Sequence, residues 1–410
     1  MTSSKAEPRI VIVGAGHSGG RAAEALRGAG FVGPILMLGA EPYPPYERPP
    51  LSKELLAGSI GIEKTYVRPL SWYRENGVTL RLGCTVSGLD LGARRVRIEG
   101  GGDEAFDRLL LATGARARRL RTPGGENKRI YYIREIADCL ALRERLRPET
   151  RVAIIGAGFI GLEVASVARM AGCAVAVIEL AAQPLARVVA PEIGNWYARL
   201  HESRGVELRT GTSVQAIEDA GTALRLKLGD GETVEADLAV AGVGAIPNTE
   251  LAAAAGLAVE DGIVVDAFGR TADPEVFAAG DVTRHFNPIL GRHIRLEAWQ
   301  NAQNQAIAVA KIMAGGSEPF AEVPWFWTDQ YDVNLQIAGA PERWERLVWR
   351  GDPGERAFTL FYLAGSRVVA ANTVNNARDM RFARMLIHSG KSVDSAALGD
   401  PAVKLQDLAR

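Results

Sequence analysis

The sequence predicts an α/β fold, with two Rossmann-like domains followed by a C-terminal α+β domain, and three observations predict it. A stretch reading strand, Gly-rich turn, helix, IVIVGAGHSGGRAAEALRGAG (10–30), returns 142 residues later as VAIIGAGFIGLEVASVARMAG (152–172). Each copy is followed by a second apolar run, ILMLGAE or AVAVIEL. Strands that are apolar throughout lie in a parallel sheet covered on both faces, so each copy is a βαβ unit. From about residue 321 the pattern changes. EVPWFWTDQYDVNLQIAG alternates and is aromatic, RLVWRGD, AFTLFYLAG and SRVVAANTV look like antiparallel strands, and a helix is expected near Arg378 to Ser389.

The strand candidate EVFAAGD, although late in the chain, is expected to rejoin the first domain, because a strand running into Gly-Asp suits a phosphate or sugar contact at a sheet edge. The expected segments are 1–115 and 246–320 for the first domain, 116–245 for the second and 321–410 for the third. Lys plus Arg and Asp plus Glu both total 48, so no global charge favours a nucleic acid or an acidic membrane. Of 410 residues 47% are apolar and 23% charged, an ordinary globular balance, and 45 Gly without a period indicate tight turns. The start MTSSKAEPRIVIVGAG offers no apolar leader, which predicts a cytoplasmic location and no membrane association. Cys84, Cys139 and Cys173 are far apart and form neither a C-x-x-C nor a metal-ligand spacing, so no metal is expected.

Gly14-x-Gly16-x-x-Gly19 and Gly156-x-Gly158-x-x-Gly161 each stand where a strand enters a helix. The first Gly makes the turn, the second lets a pyrophosphate touch backbone, and the third lets helix and strand approach. Repetition in matching context predicts two bound dinucleotides. Glu179, 23 residues past Gly156, suits a ribose acceptor that repels a 2′-phosphate, which favours NADH over NADPH; Arg187 is a candidate to soften that preference. Glu41, after Ala40, is the only acid available to the first unit's ribose. His17 is expected to be a turn residue beside phosphate.

These residues resemble the two-dinucleotide-fold flavoprotein reductases, and within them the NADH-dependent ferredoxin reductases of the putidaredoxin and biphenyl-dioxygenase type. IVIVGAGHSGG, PYERPPLSKELLAG, LLLATGARAR, VAIIGAGFIGLEVA, AVAGVGAIPN, VFAAGDV and PWFWTDQY carry the resemblance along nearly the whole chain. It implies FAD at the first turn (Gly14, Ala15, Gly16, Gly19), with Ala40, Glu41, Arg48, Lys53, Val86, Ala112, Thr113, Gly114, Arg134, Asp281 and Trp299 as further contacts. Ala40 departs from the acid many relatives carry there. It implies NADH at Gly156, Gly158, Phe159, Ile160, Gly161, Glu163, Glu179, Arg187 and Gly244.

Lys53 and Glu163 are expected to pair beside the flavin, since an unpaired buried charge costs several kcal/mol. Disulfide relatives place a Cys pair where this chain has Pro50, Leu51, Ser52 and Lys53, so electrons are expected to leave singly to an external carrier, a [2Fe–2S] ferredoxin feeding an oxygenase. Trp325, Phe326, Trp327 and Tyr331 are candidates for the electron path or for the packing of the third domain on the first, and Arg68, Arg292 and Arg295 for a basic docking rim. A rubredoxin or monodehydroascorbate reductase is the enzyme alternative. A redox-signalling flavoprotein of the apoptosis-inducing-factor type is the other. A monomer or weak dimer is expected.

Overall fold

The computed structural model describes residues 7–410; residues 1–6, on which the leader argument partly rests, lie outside it. Two compact units divide the chain. One comprises the chain up to Arg48, Ile62–Arg116 and Ile246–Pro324, the other Pro49–Gly61, Ala117–Ala245 and Trp325–Arg410.

In the first unit, strand β1 (Ile10–Val13), helix α1 (His17–Gly28) and strand β2 (Ile35–Leu38) form the first βαβ unit. β1 pairs in parallel with β2 and with Arg108–Leu111, and Val276–Ala278 and Val78–Arg81 complete the five-stranded sheet. Alternation along β1 builds two cores. Ile10 and Ile12 pack with Leu26 of α1 and with Val309 and Met313 of the helix Trp299–Met313, while Val11 and Val13 pack with Leu36, Leu109 and Val276. Each such side chain contributes about 1.5–3 kcal/mol by leaving water, and no polar residue interrupts β1 or β2.

The second unit repeats the design with β3 (Arg151–Ile155), α2 (Phe159–Met170) and β4 (Ala174–Glu179), in a parallel sheet with Glu207–Thr210, Leu238–Ala241 and Ile130–Tyr131. It also contains the C-terminal five-stranded antiparallel sheet, whose edge strand β5 (Trp325–Gln330) pairs with Val333–Ala338. The last long helix, Ala377–Ser389, starts on the Asn376 side chain, which accepts from Asp379 N–H, and stops at left-handed Gly390. Buried Arg350 pairs with Asp379 and donates to the Leu398 and Val403 carbonyls, fastening the chain end to this sheet.

Residues 49–61 belong to this second unit rather than to the one that contains their sequence neighbours. The bonds that hold them there are distant in sequence: Lys53 and Ser52 bond Glu163 of α2, and Arg143 donates to the Leu55 carbonyl. Among the described residues no helix is long and apolar enough to cross a membrane.

Candidate functional site

Both Gly-rich turns are built as the spacing requires. Gly14 has φ +113°, and a Cβ there would lie 2.2 Å from the Ala112 carbonyl oxygen; one on Gly19 would lie 2.0 Å from the Gly14 oxygen. Gly156 (φ +101°) and Gly161 are blocked in the same manner by the Gly242 and Gly156 carbonyls. The middle glycines differ. A Cβ on Gly16 would meet only Arg48 Nη2, at 4.0 Å, and one on Gly158 would meet nothing within 4 Å. Open space over the middle glycine, in front of the amino end of a helix, fits a pyrophosphate at each turn.

Around the first turn, Arg48 is anchored by Glu41 (3.1 Å) and by the Tyr46 hydroxyl (2.9 Å). Burial works against its charge, but Tyr46, Glu41 and Asp281 outweigh it and raise the guanidinium pKa. Glu41 also accepts from the Tyr46 hydroxyl at 2.6 Å, so this acid is held toward Arg48, and Ala40 beside it is exposed. His17 is buried, with its ring 5.3 Å from the Trp299 ring and neither nitrogen hydrogen-bonded among the described residues. Burial, then Arg21 and Arg48, push its pKa down to about 3. Thr113 Oγ1 donates to the Asn248 carbonyl (2.7 Å), and Asn248 N–H donates to the Gly114 carbonyl (2.9 Å), closing the loop after Leu111. Val86, in a small antiparallel sheet of the same unit, is half-buried, as is Asp281.

At the second turn Glu179 reaches back. Its Oε2 accepts from Ala157 N–H at 2.6 Å and its Oε1 from Ala181 N–H at 2.8 Å, leaving each oxygen one lone pair for a ribose. Arg187 is exposed, with Nη1 4.0 Å from where a Gly244 Cβ would stand. Phe159 and exposed Ile160 open α2. Arg134 belongs to this unit, where its N–H donates to Asp138 Oδ2.

Lys53 and Glu163 form an ion pair, Nζ to Oε1 2.8 Å, with side-chain exposures of 12% and 4%. Glu163 also accepts from the Ser52 hydroxyl and from Thr328 Oγ1 at 2.7 Å. Three donors satisfy this buried carboxylate, and removing the cation from such a pair costs about 3–5 kcal/mol. Ser52, Thr328 and the residues behind Thr328 were not identifiable as site residues from the sequence; only their inclusion in RPPLSK and WTDQ signalled them.

One expectation needs correction. Phe326 of the WFW cluster packs within the second unit on the second domain, 4.2 Å from Phe159 of α2, centroid to centroid. Trp325 and Trp327 stack at 5.2 Å, with Arg384 over Trp325. Of the basic candidates, Arg68 pairs with Glu24, and Arg295 pairs with Glu297 and Asp261.

Residues 8–306 match the pyridine nucleotide-disulphide oxidoreductase family, and 325–409 the reductase C-terminal family. The chain is 46% identical to the anthranilate 1,2-dioxygenase system ferredoxin–NAD(+) reductase component of Burkholderia cepacia, over 97% of this chain and 98% of that protein. It is 37% identical to putidaredoxin reductase of Pseudomonas putida, over 98% and 97%. The crystal structure of the covalent putidaredoxin reductase–putidaredoxin complex superposes with a TM-score of 0.95 at 37% identity, covering 98% of both chains.

Proposed function

The chain belongs to the pyridine nucleotide-disulphide oxidoreductase family, and from that premise we propose that it is an NADH-dependent flavoprotein reductase that delivers electrons singly to a [2Fe–2S] ferredoxin serving an oxygenase. FAD, when bound, takes two electrons from NADH as hydride and releases them one at a time. The protein supplies binding, orientation and charge.

The first turn would hold the FAD pyrophosphate between Gly14, Ala15, Gly16 and Gly19, with Arg48 as the adjacent cation and Glu41, Asp281 and Trp299 along the cofactor. Val86, Ala112, Thr113, Gly114 and Arg134 would be further contacts. The second turn would take NADH at Gly156, Gly158, Phe159, Ile160 and Gly161, with Glu179 on the ribose and Arg187 and Gly244 beside it. One observation carries the reading: Lys53, 2.8 Å from buried Glu163, is a cation fixed at the end of the RPPLSK turn where disulfide-using relatives are expected to have thiols. Lys53 would stabilise negative charge developing on the flavin, and Glu163 would hold the ammonium in place. Of the three free thiols, Cys84 is half-buried. Cys139 and Cys173 are buried, and burial pushes the Cys139 thiol up to about 11, out of the reactive range.

A cytoplasmic enzyme, monomeric or weakly dimeric, completes the proposal. Its test is anaerobic stopped-flow absorbance with NADH. Lys53→Ala is expected to lower the hydride-transfer rate by about 100-fold with NADH affinity little changed, and a variant of wild-type speed would remove the pair from the mechanism.

A further inference from the structure

Glu163 is met from the C-terminal sheet as well as from the turn carrying Lys53, and the second contact has a direction. Thr328 Oγ1 donates to Glu163 Oε1 at 2.7 Å, and Gln330 Nε2 donates to Thr328 Oγ1 at 3.1 Å. Gln330 Oε1 faces His201 Nε2 at 2.8 Å, and the Tyr331 hydroxyl lies 3.3 Å from His201 Nδ1. Thr328, Gln330 and His201 are each 0% exposed, so a bond lost here is not replaced by bulk water. Thr328 and Gln330 share one face of β5 by strand alternation, and His201 lies on the helix Pro191–Ser203.

Donor and acceptor chemistry fixes the polarity. An amide oxygen only accepts, so His201 carries its hydrogen on Nε2, and Nδ1 accepts from the Tyr331 hydroxyl. Burial holds the His201 pKa below the ordinary imidazole value, keeping the ring neutral at pH 7. The amide nitrogen of Gln330 then occupies the Thr328 oxygen, and the single Thr328 proton is left for Glu163. Every hydrogen in the series points toward the carboxylate. Were the His201 hydrogen on Nδ1, Gln330 would turn over, Thr328 would donate to the amide oxygen, and Glu163 would face a lone pair. Tyr331, which starts the series, has left-handed backbone (φ 57°), an arrangement unfavourable for a non-Gly residue. It is held there by donating its N–H to Ser166 Oγ of α2 at 2.7 Å.

We propose that His201, Gln330 and Thr328 are positioning residues that fix the orientation of the Glu163 carboxylate and, through it, of Lys53. The other two donors to Glu163, Ser52 and Lys53, are adjacent in one turn; without Thr328 the carboxylate is held from one side only. The consequence for turnover rests on the reading of Lys53 and Glu163 given above, whereas the hydrogen-bond polarity does not.

Nitrogen-15 NMR of the imidazole-labelled, flavin-loaded protein reads that polarity without reference to activity. The His201 signals, identified by their loss in His201→Phe, are expected to show a neutral ring with hydrogen on Nε2 at pH 7; hydrogen on Nδ1, or a protonated ring, overturns the proposal. In stopped-flow, Thr328→Val is expected to slow flavin reduction about tenfold with NADH KM unchanged, and Thr328→Ser to restore most of the rate. Absence of rescue by Ser overturns the assignment. Combining Thr328→Val with Glu163→Gln should be no slower than Glu163→Gln alone, because Thr328 acts through that carboxylate; additive losses overturn it. Failure of the underlying reading is told apart by Lys53→Ala, whose wild-type speed would take the pair out of the reaction and leave the His201 tautomer as measured.

Discussion

The two Gly-rich turns have the same backbone plan and differ in what surrounds them. At the first, Arg48 stands over Gly16, anchored by Glu41 and Tyr46, and His17 is buried against Trp299. At the second, the space over Gly158 is clear, Ile160 is exposed, and Glu179 accepts one bond on each oxygen, from the Ala157 and Ala181 amides. A fixed cation at a phosphate turn suits a cofactor that stays, and an open turn with an acid at its edge suits a coenzyme that comes and goes. On the proposed function, one βαβ motif serves as a resident site or an exchange site according to the side chains within and around its turn.

The largest effects should come from what the turns share. Gly19→Ala and Gly161→Ala each drive a methyl into a backbone carbonyl, and are expected to cost about 3 kcal/mol or more, read as a lowered urea midpoint. Gly158→Ala, with open space around its Cβ, should fold normally and raise the NADH KM instead. Equal loss of stability in Gly158→Ala and Gly161→Ala would break the account of the turn.

Next come substitutions that separate the turns. Arg48→Leu should weaken FAD retention by about 10- to 100-fold, the range for a charge-assisted hydrogen bond, in equilibrium dialysis against free flavin, with NADH KM unaffected. Glu179→Gln loses the charge and one of the two backbone amide bonds, and should shift the NADPH to NADH ratio of kcat/KM about tenfold toward NADPH. An unchanged ratio would show that the ribose is read elsewhere, with Arg187 the next residue to substitute.

The smallest effect expected is acid sensitivity of the first unit. His17 titrates at about 3 and His285 at about 4, both below the ordinary 6.5, chiefly through burial. The unfolded chain therefore takes up protons first as pH falls below about 6.5, so stability is full above that value and declines on acidification. At one pH unit below it, each histidine should cost about 1 kcal/mol. Urea melts of the flavin-free protein at pH 7 and 5.5 measure the loss, and His17→Gln should reduce it.

Much of this was legible in the chain because it depends on local rules. Glycine spacing fixes turns, uninterrupted apolar runs fix buried parallel strands, and a strand ending in Gly-Asp correctly anticipated that Val276–Ala278 rejoins β1's sheet. The Lys53–Glu163 pair was legible because two charges bound for the interior need each other. What was hidden depends on long-range geometry. Residues 49–61 sit with the second unit because of where Glu163 and Arg143 point. His201 and Gln330 are 129 residues apart, and no periodicity announces that they share a hydrogen bond. Arg68 and Arg295 look like free cations in sequence, yet the fold brings Glu24 to the one and Asp261 to the other.

An anaerobic titration followed by mixing with a [2Fe–2S] ferredoxin tests the central claim most directly. The account predicts a yellow protein with one FAD per chain, bleached fully by one equivalent of NADH, that then reduces two equivalents of ferredoxin by one electron each. A chain that binds no flavin after reconstitution, or a bleached flavin that yields its electrons to oxygen and not to any iron–sulfur protein, would contradict it.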